Sequence, residues 1–155
     1  MSTSTMLKPN LSDSDLQKLG NWVRDARDGK PVSPLWISGE YGTGKSCLAY
    51  ALAKMIDADK PAFYLASFML DSHFLEVKPD SSFSCVVFDS VQGKRQTRKM
   101  QELAEKSDLK TPLVFLSTDD LPVVFEQRFV SVYLDKTDNH DAPETTIQRY
   151  IRALS

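Results

Sequence analysis

An α/β fold with a mainly parallel sheet is what this sequence predicts, on three observations. Five short apolar runs bounded by turn residues, Leu35–Ser38, Ala62–Ala66, Cys85–Asp89, Leu113–Ser117 and Val130–Leu134, have the length and composition of strands. Helical stretches separate them, clearest at Lys45–Ile56 and Arg95–Lys106. Several runs are apolar at consecutive positions, as in Val86-Val87-Phe88 and Leu113-Val114-Phe115-Leu116. Strands need that pattern when helices cover both faces of their sheet.

Taken in order, residues 1–11 read as a flexible lead. Ser12 or Ser14 then offers an N-cap, and Leu16, Leu19, Trp22, Val23 and Ala26 recur at helical spacing. Gly29 with Pro31 and Pro34 ends that helix. Phe68, Met69, Phe74 and Leu75 suit the apolar face of a short helix after the second strand. The tail predicts one more helix: Asp141 as cap, Pro143 in the first turn, Glu144 three residues after the cap. Ile147, Tyr150, Ile151 and Leu154 give it an apolar face. The division expected is a core over 12–135 and a C-terminal helix within 136–155, with no repeat and no low-complexity linker.

Composition narrows the class. A chain of 155 residues, 41% hydrophobic, forms one domain with a real core. A net charge of −2 gives no overall pull toward nucleic acid or membrane. Cys47 and Cys85 lie in apolar runs without a disulfide framework, which points to a reducing setting. The first residues lack the features of a signal peptide, and no apolar run is long enough to cross a bilayer. A soluble, cytoplasmic protein is expected. His73 and His140 are far apart and have no cluster of metal-ligating neighbours, so no zinc site is predicted.

The strongest local signal is GEYGTGKS, Gly39 to Ser46, a full match to the phosphate-loop pattern G-x-x-x-x-G-K-[ST]. An apolar strand runs into it and a helix free of Gly and Pro runs out. Gly39, Gly42 and Gly44 let the backbone curl so that N–H groups of the loop, including those of Glu40, Tyr41 and Thr43, face phosphate oxygens. The helix start at Lys45, Ser46 and Cys47 adds its positive dipole end. Lys45 is expected on the β- and γ-phosphates and the Ser46 hydroxyl on Mg²⁺, so ATP and Mg²⁺ are the expected cofactors. A magnesium site of this kind needs a carboxylate ending a neighbouring strand. Cys-Val-Val-Phe-Asp, closing at Asp89, has that form.

The order of helix, phosphate loop, strand and Asp-ended strand continues into Leu-Val-Phe-Leu-Ser-Thr-Asp-Asp and then Phe-Glu-Gln-Arg-Phe before a last strand. Over about Leu16 to Leu134 this resembles the AAA+ ATPases, especially the clade of replication initiators, their regulators and helicase loaders. The resemblance implies a P-loop three-layer sandwich with a five-stranded sheet. It also implies a γ-phosphate sensor at Thr118 or Asp119 and an arginine, Arg128, that reaches a neighbouring subunit's nucleotide. An anion at Asp119 is disfavoured so near a phosphate, leaving Thr118 as the better sensor.

Two departures from the family pattern stand out. The family's base follows the strand-end acid as Asp or Glu, and here Ser90 stands there; its hydroxyl cannot take a proton from water near neutral pH unaided. Slow or partner-dependent hydrolysis is therefore expected. The helical lid is reduced to one helix, on which Arg149 and Arg152 read as surface arginines, the alternative being a substitute for the lid's sensor arginine. The reduced lid also resembles the superfamily 3 helicases of small DNA viruses, which need room for a DNA-binding hairpin after the acidic strand.

In that place stands a basic run, with Lys94, Arg95, Arg98 and Lys99 available to DNA phosphates. A solvated helix face paired with Glu102 and Glu105 is the favoured reading. The expected function is ATP-dependent assembly in DNA replication, with itself or a larger AAA+ protein, as helicase loader or initiator regulator. The alternatives are a non-hydrolysing nucleotide-dependent module and a superfamily 3-like helicase domain. A small-molecule kinase is disfavoured: such kinases need acceptor-binding acids after the second strand, where Asp71 is the candidate, and an arginine-rich lid, whereas no arginine lies between Arg27 and Arg95.

Overall fold

A computed structural model describes residues 9–66, 82–91, 98, 111–123, 127–137 and 141–155. Its elements are α1 (Asp13–Arg27), β1 (Leu35–Ser38), α2 (Lys45–Ile56), β2 (Phe63–Ala66), β3 (Val86–Val91), β4 (Leu113–Ser117), β5 (Val130–Tyr133) and α3 (Pro143–Leu154). The expected helix at Arg95–Lys106 lies outside the described residues except for Arg98, which is exposed. The expected apolar face at Phe68, Met69, Phe74 and Leu75 lies outside them as well.

The five strands form one sheet in the order β2-β3-β4-β1-β5, and every described pairing is parallel. Period-2 alternation sorts their side chains onto two faces. Leu35, Ile37, Val87, Val114, Leu116 and Val132 join α1, α2 and α3 in one core. Trp36, Val86, Phe88 and Phe115 build the other with Leu121 and Phe129. There the rings of Phe88 and Phe115 stack 4.7 Å apart, and Phe129 meets Trp36 edge-on. Both faces of the central strands are buried, which accounts for their unbroken apolar runs.

Local chemistry sets the helix ends. The Ser12 hydroxyl accepts from the Asp15 N–H at 3.1 Å and caps α1, a contact that contributes about 1 kcal/mol. α1 lies along the edge strand β5, where Lys18 donates to Ser131 O and Asp15 accepts the Tyr133 N–H, so side chains occupy groups that would otherwise template another strand.

Two local expectations are corrected. Asp141 does not cap α3: the cap position is Ala142, without a side-chain bond, because the Asp141 carboxylate is held by Arg149. Asn10 and Leu11 do not belong to a loose lead. Leu11 is buried in the α-helical core, and Asn10 is bonded to three distant segments.

Candidate functional site

The sheet's topology fixes where a ligand can sit. From β1 the chain crosses to β2 at one edge, whereas β4 leads across β1 to β5 at the other. Such a divergence opens a crevice beyond the carboxyl ends of the strands. Gly39–Gly44 fills the turn out of β1 at that crevice.

Each outward bond of this loop turns an N–H the other way. The Lys45 ammonium donates to Gly39 O and Glu40 O at 2.8 Å each. The Thr43 hydroxyl donates to Glu40 O at 2.8 Å, and the Asn10 amide donates to Thr43 O at 2.8 Å. Across a planar trans peptide, N–H and C=O point in opposite directions. Each bonded carbonyl therefore fixes the direction of the amide that follows it, away from the group that holds the carbonyl. The ladder of α2 begins with Leu48 N–H to Gly44 O at 2.9 Å, so the N–H groups of Lys45, Ser46 and Cys47 lie outside it at the positive end of the dipole. A cradle of this kind suits a polyphosphate.

Two glycines are required by this geometry. At Gly39 (φ 154°) a Cβ would lie 2.9 Å from Leu134 O and 2.9 Å from the Thr43 hydroxyl. Gly44 is left-handed (φ 98°), and a Cβ there would lie 3.1 Å from the Tyr150 hydroxyl.

The Asp89 carboxylate lies close enough to Lys45 to act on its ammonium, and Thr118 directly follows Ser117, whose carbonyl accepts the Gly39 N–H. Burial lowers the Lys45 pKa below the ordinary lysine value, and the Asp89 carboxylate partly offsets this. Tyr41, exposed at the loop's tip, stands with its ring centroid 5.8 Å from the Lys45 nitrogen. Tyr64 on β2 donates to Ser46 O at 3.5 Å; its pKa is raised, mainly by burial and then by Asp89. Nothing in its sequence neighbourhood marked Tyr64 as part of the site.

Asp89 is not the end of its strand. Asp89 and Ser90 form a bulge between the Phe88–Phe115 and Val91–Ser117 pairs, with Ser90 left-handed at φ 60°. The exposed Ser90 hydroxyl donates to Asp89 Oδ1 at 3.3 Å. Buried Ser117 holds the bulge from β4: its hydroxyl donates to Val91 O at 2.5 Å and accepts the Asp119 N–H at 2.9 Å. Its carbonyl accepts the Gly39 N–H at 3.2 Å. One serine thus joins the phosphate loop, the acidic strand and the turn carrying Thr118. Thr118 is half-buried there, whereas the Asp119 carbonyl turns away to accept from Trp36 Nε1 at 3.1 Å.

Arg128 is not part of this constellation. It precedes β5, and the register Leu35 with Val130 puts it at the amino edge of the sheet, opposite the loop. Arg149, read from the sequence as a surface arginine, is mostly covered and paired with Asp141, while Arg152 is exposed. Together with Pro9, Asn10, Cys47, Thr146 and Tyr150, Arg149 lines a cavity of about 390 Å³ that opens on Gly42–Gly44. Burial raises the Cys47 pKa there, so its thiol stays protonated. A larger hollow of about 750 Å³ lies between α1 and β5 and shares no residue with the loop. Of the basic run, Lys94, Arg95 and Lys99 lie outside the described residues.

No family model matches the sequence, and no curated protein matches it. Solved structures do. The chain is similar to the RuvB Holliday junction branch migration motor of Thermotoga maritima, at 15% identity and TM-score 0.55, over 81% of this chain and 45% of that one. The JCV helicase matches at 14% identity and TM-score 0.62, over 97% of this chain and 50% of that one. The C-terminal region of NrS-1 matches at 14% identity and TM-score 0.54, over 99% and 46%. The chain spans about half the length of these structures. With its parallel five-stranded sheet and the loop after β1, this chain has the fold of the AAA+-type P-loop ATPases.

Proposed function

We propose that the chain binds Mg·ATP at Gly39–Ser46 and works in DNA replication through ATP-dependent assembly, as a helicase loader or initiator regulator, hydrolysing ATP slowly or only with a partner. The observation that carries this reading is the loop itself: its carbonyls are tied back by Lys45, Thr43 and Asn10 while Lys45 and Asp89 share the crevice. Glu40 to Cys47 hold the phosphates through backbone N–H groups, with Lys45 as the mobile cation, while the Gly39 N–H stays on Ser117 O. Lys45 exchanges its two carbonyls for phosphate oxygens when nucleotide arrives. Ser46 and Asp89 supply oxygen ligands suited to Mg²⁺. The cavity beside Gly44 takes the base and ribose, with Arg149 at its wall. Mg·ATP, when bound, supplies the phosphoanhydride whose presence the assembly reads.

Thr118 reads the terminal phosphate through its hydroxyl, positioned by Ser117. Arg128, at the far edge of its own sheet, serves a neighbour's nucleotide, which is either a second copy's or a larger AAA+ protein's. The basic run with Arg98 offers DNA phosphates a contact, and the cytoplasm is the proposed setting. Among the described residues, no helix is long and apolar enough to cross a membrane.

The test is assembly. Light scattering after size exclusion should show wild type growing in mass with Mg·ATP, and Arg128→Ala staying at its nucleotide-free mass in the same buffer. Assembly that ignores the Arg128 change sinks the trans-arginine role.

Ser90 favours a second reading, a nucleotide-dependent module that never hydrolyses. A base at that position contributes about 10²–10⁴-fold to such a reaction. If only the base is lacking, Ser90→Glu raises steady-state turnover at least about tenfold. The left-handed backbone at Ser90 works against this, since a longer side chain is strained there. Unchanged turnover means that the bulge, and not the residue type alone, holds the centre inactive. The JCV helicase and NrS-1 matches, which cover 97% and 99% of this chain, support a third reading, a superfamily 3-like helicase domain, for which ATPase activity must rise with added single-stranded DNA.

A further inference from the structure

Asn10 lies 29 residues before Gly39, yet its side chain has three long-range partners. Nδ2 donates to Thr43 O at 2.8 Å and to Asp135 O at 2.7 Å. Oδ1 accepts the Tyr150 hydroxyl at 2.6 Å. Its main-chain carbonyl accepts the Asp135 N–H at 2.9 Å. Only one orientation of the amide satisfies this set, because two carbonyls face the nitrogen and a hydroxyl faces the oxygen. Tyr150 is itself buried in α3 and packs against Gly44, so the amide is held from both ends.

We infer that Asn10 is a positioning residue for the phosphate cradle, an inference that rests on reading Gly39–Ser46 as a phosphate site. The Thr43–Gly44 peptide is a rigid plane. Anchoring its carbonyl on Asn10 fixes the opposite direction for the Gly44 N–H, away from Asn10. Gly44 has φ 98° and no side chain of its own to restrain it, and a glycine linkage flips between orientations at little steric cost. With the anchor in place the amide stands aimed before the anion arrives, and preorganised donors bind more tightly than donors that must be ordered on binding. The same anchor joins the loop to α3 and to the chain leaving β5. These are the elements that wall the cavity beside Gly44.

The variant Asn10→Asp keeps the shape and removes both N–H donors, placing carboxylate oxygens against two carbonyls. Tyr150→Phe keeps the donors and removes only the hydroxyl that holds Oδ1. Calorimetric titration with Mg·ATP and with inorganic pyrophosphate, which fills the cradle alone, is paired with ¹H–¹⁵N spectra of the Gly42 and Gly44 amides. Asn10→Asp should bind both probes at least tenfold more weakly, and Tyr150→Phe about threefold. In each variant the Gly44 amide resonance should move on its own, with Gly42 in place. A generally loosened fold would move both amides.

Asn10→Asp binding within twofold of wild type overturns the inference. If Asn10→Asp fails to fold, Tyr150→Phe decides by the same two readouts, with unchanged affinity and an unmoved Gly44 amide counting against it. A wild type that binds neither probe removes the phosphate-site reading and this inference with it. A wild type that binds both, beside variants that bind equally well, removes the inference alone.

Discussion

Lys45→Met lowers affinity for Mg·ATP at least about a hundredfold, while the unliganded variant melts within a few degrees of wild type. A hundredfold is about 2.7 kcal/mol, the size of charge-assisted contacts to an anion in a partly desolvated site. Without nucleotide the ammonium does less. It gains two carbonyl contacts and loses hydration, and its lowered pKa shows that burial outweighs the attraction of Asp89. The sign of the pH dependence follows. The unfolded chain keeps this proton to higher pH than the fold does, so unliganded stability rises as pH climbs from the folded toward the unfolded pKa. Lys45→Met lacks that alkaline rise, and Mg·ATP suppresses it in wild type by favouring the charged form. Calorimetric titration and melts across the alkaline range check both halves; equal affinity for the two proteins contradicts the assigned role.

The largest stability effect outside the apolar core is expected at Gly39→Ala. A methyl group there meets backbone on one side and Thr43 on the other, both at 2.9 Å, and a left-handed-side φ adds strain. Main chain of β5's exit cannot rotate away as a side-chain end can. Strain and overpacking together cost about 2–4 kcal/mol, which lowers the melting temperature by about 5–15 °C in a domain of this size. Gly42→Ala is the matched control: its φ is 79° and its space is open, so about 1 kcal/mol is expected. Equal melting temperatures for the two variants show that the close packing under the loop is not as described.

What the sequence disclosed depended on how local the cause was. β1, β4 and α2 match their expected bounds residue for residue, because continuous apolar runs and a Gly-Lys helix start are signals within one segment. The phosphate loop is likewise a local pattern. Strand order needed the whole sheet. β3 outran its expected end at Asp89 because Val91 is recovered across a bulge by the hydroxyl of Ser117, 26 residues away. Asn10 looked like lead because its partners lie 33, 125 and 140 residues on. Arg149 looked solvated on an amphipathic helix, and only the docking of α3 beside Gly44 turns it inward. Asp141 had every mark of a cap until that arginine claimed its carboxylate. In each case the missing information was a tertiary neighbour, which periodicity and propensity do not carry.

The central claim is that the loop after β1 binds Mg·ATP, and a thermal melt of wild type with increasing Mg·ATP tests it most directly. Ligand that binds only the folded state adds about 2.7 kcal/mol at a concentration a hundred times Kd. The account predicts a dose-dependent rise of about 5–10 °C at that concentration, reproduced in part by ADP and absent in Lys45→Met. A melting temperature that stays fixed up to millimolar Mg·ATP contradicts it.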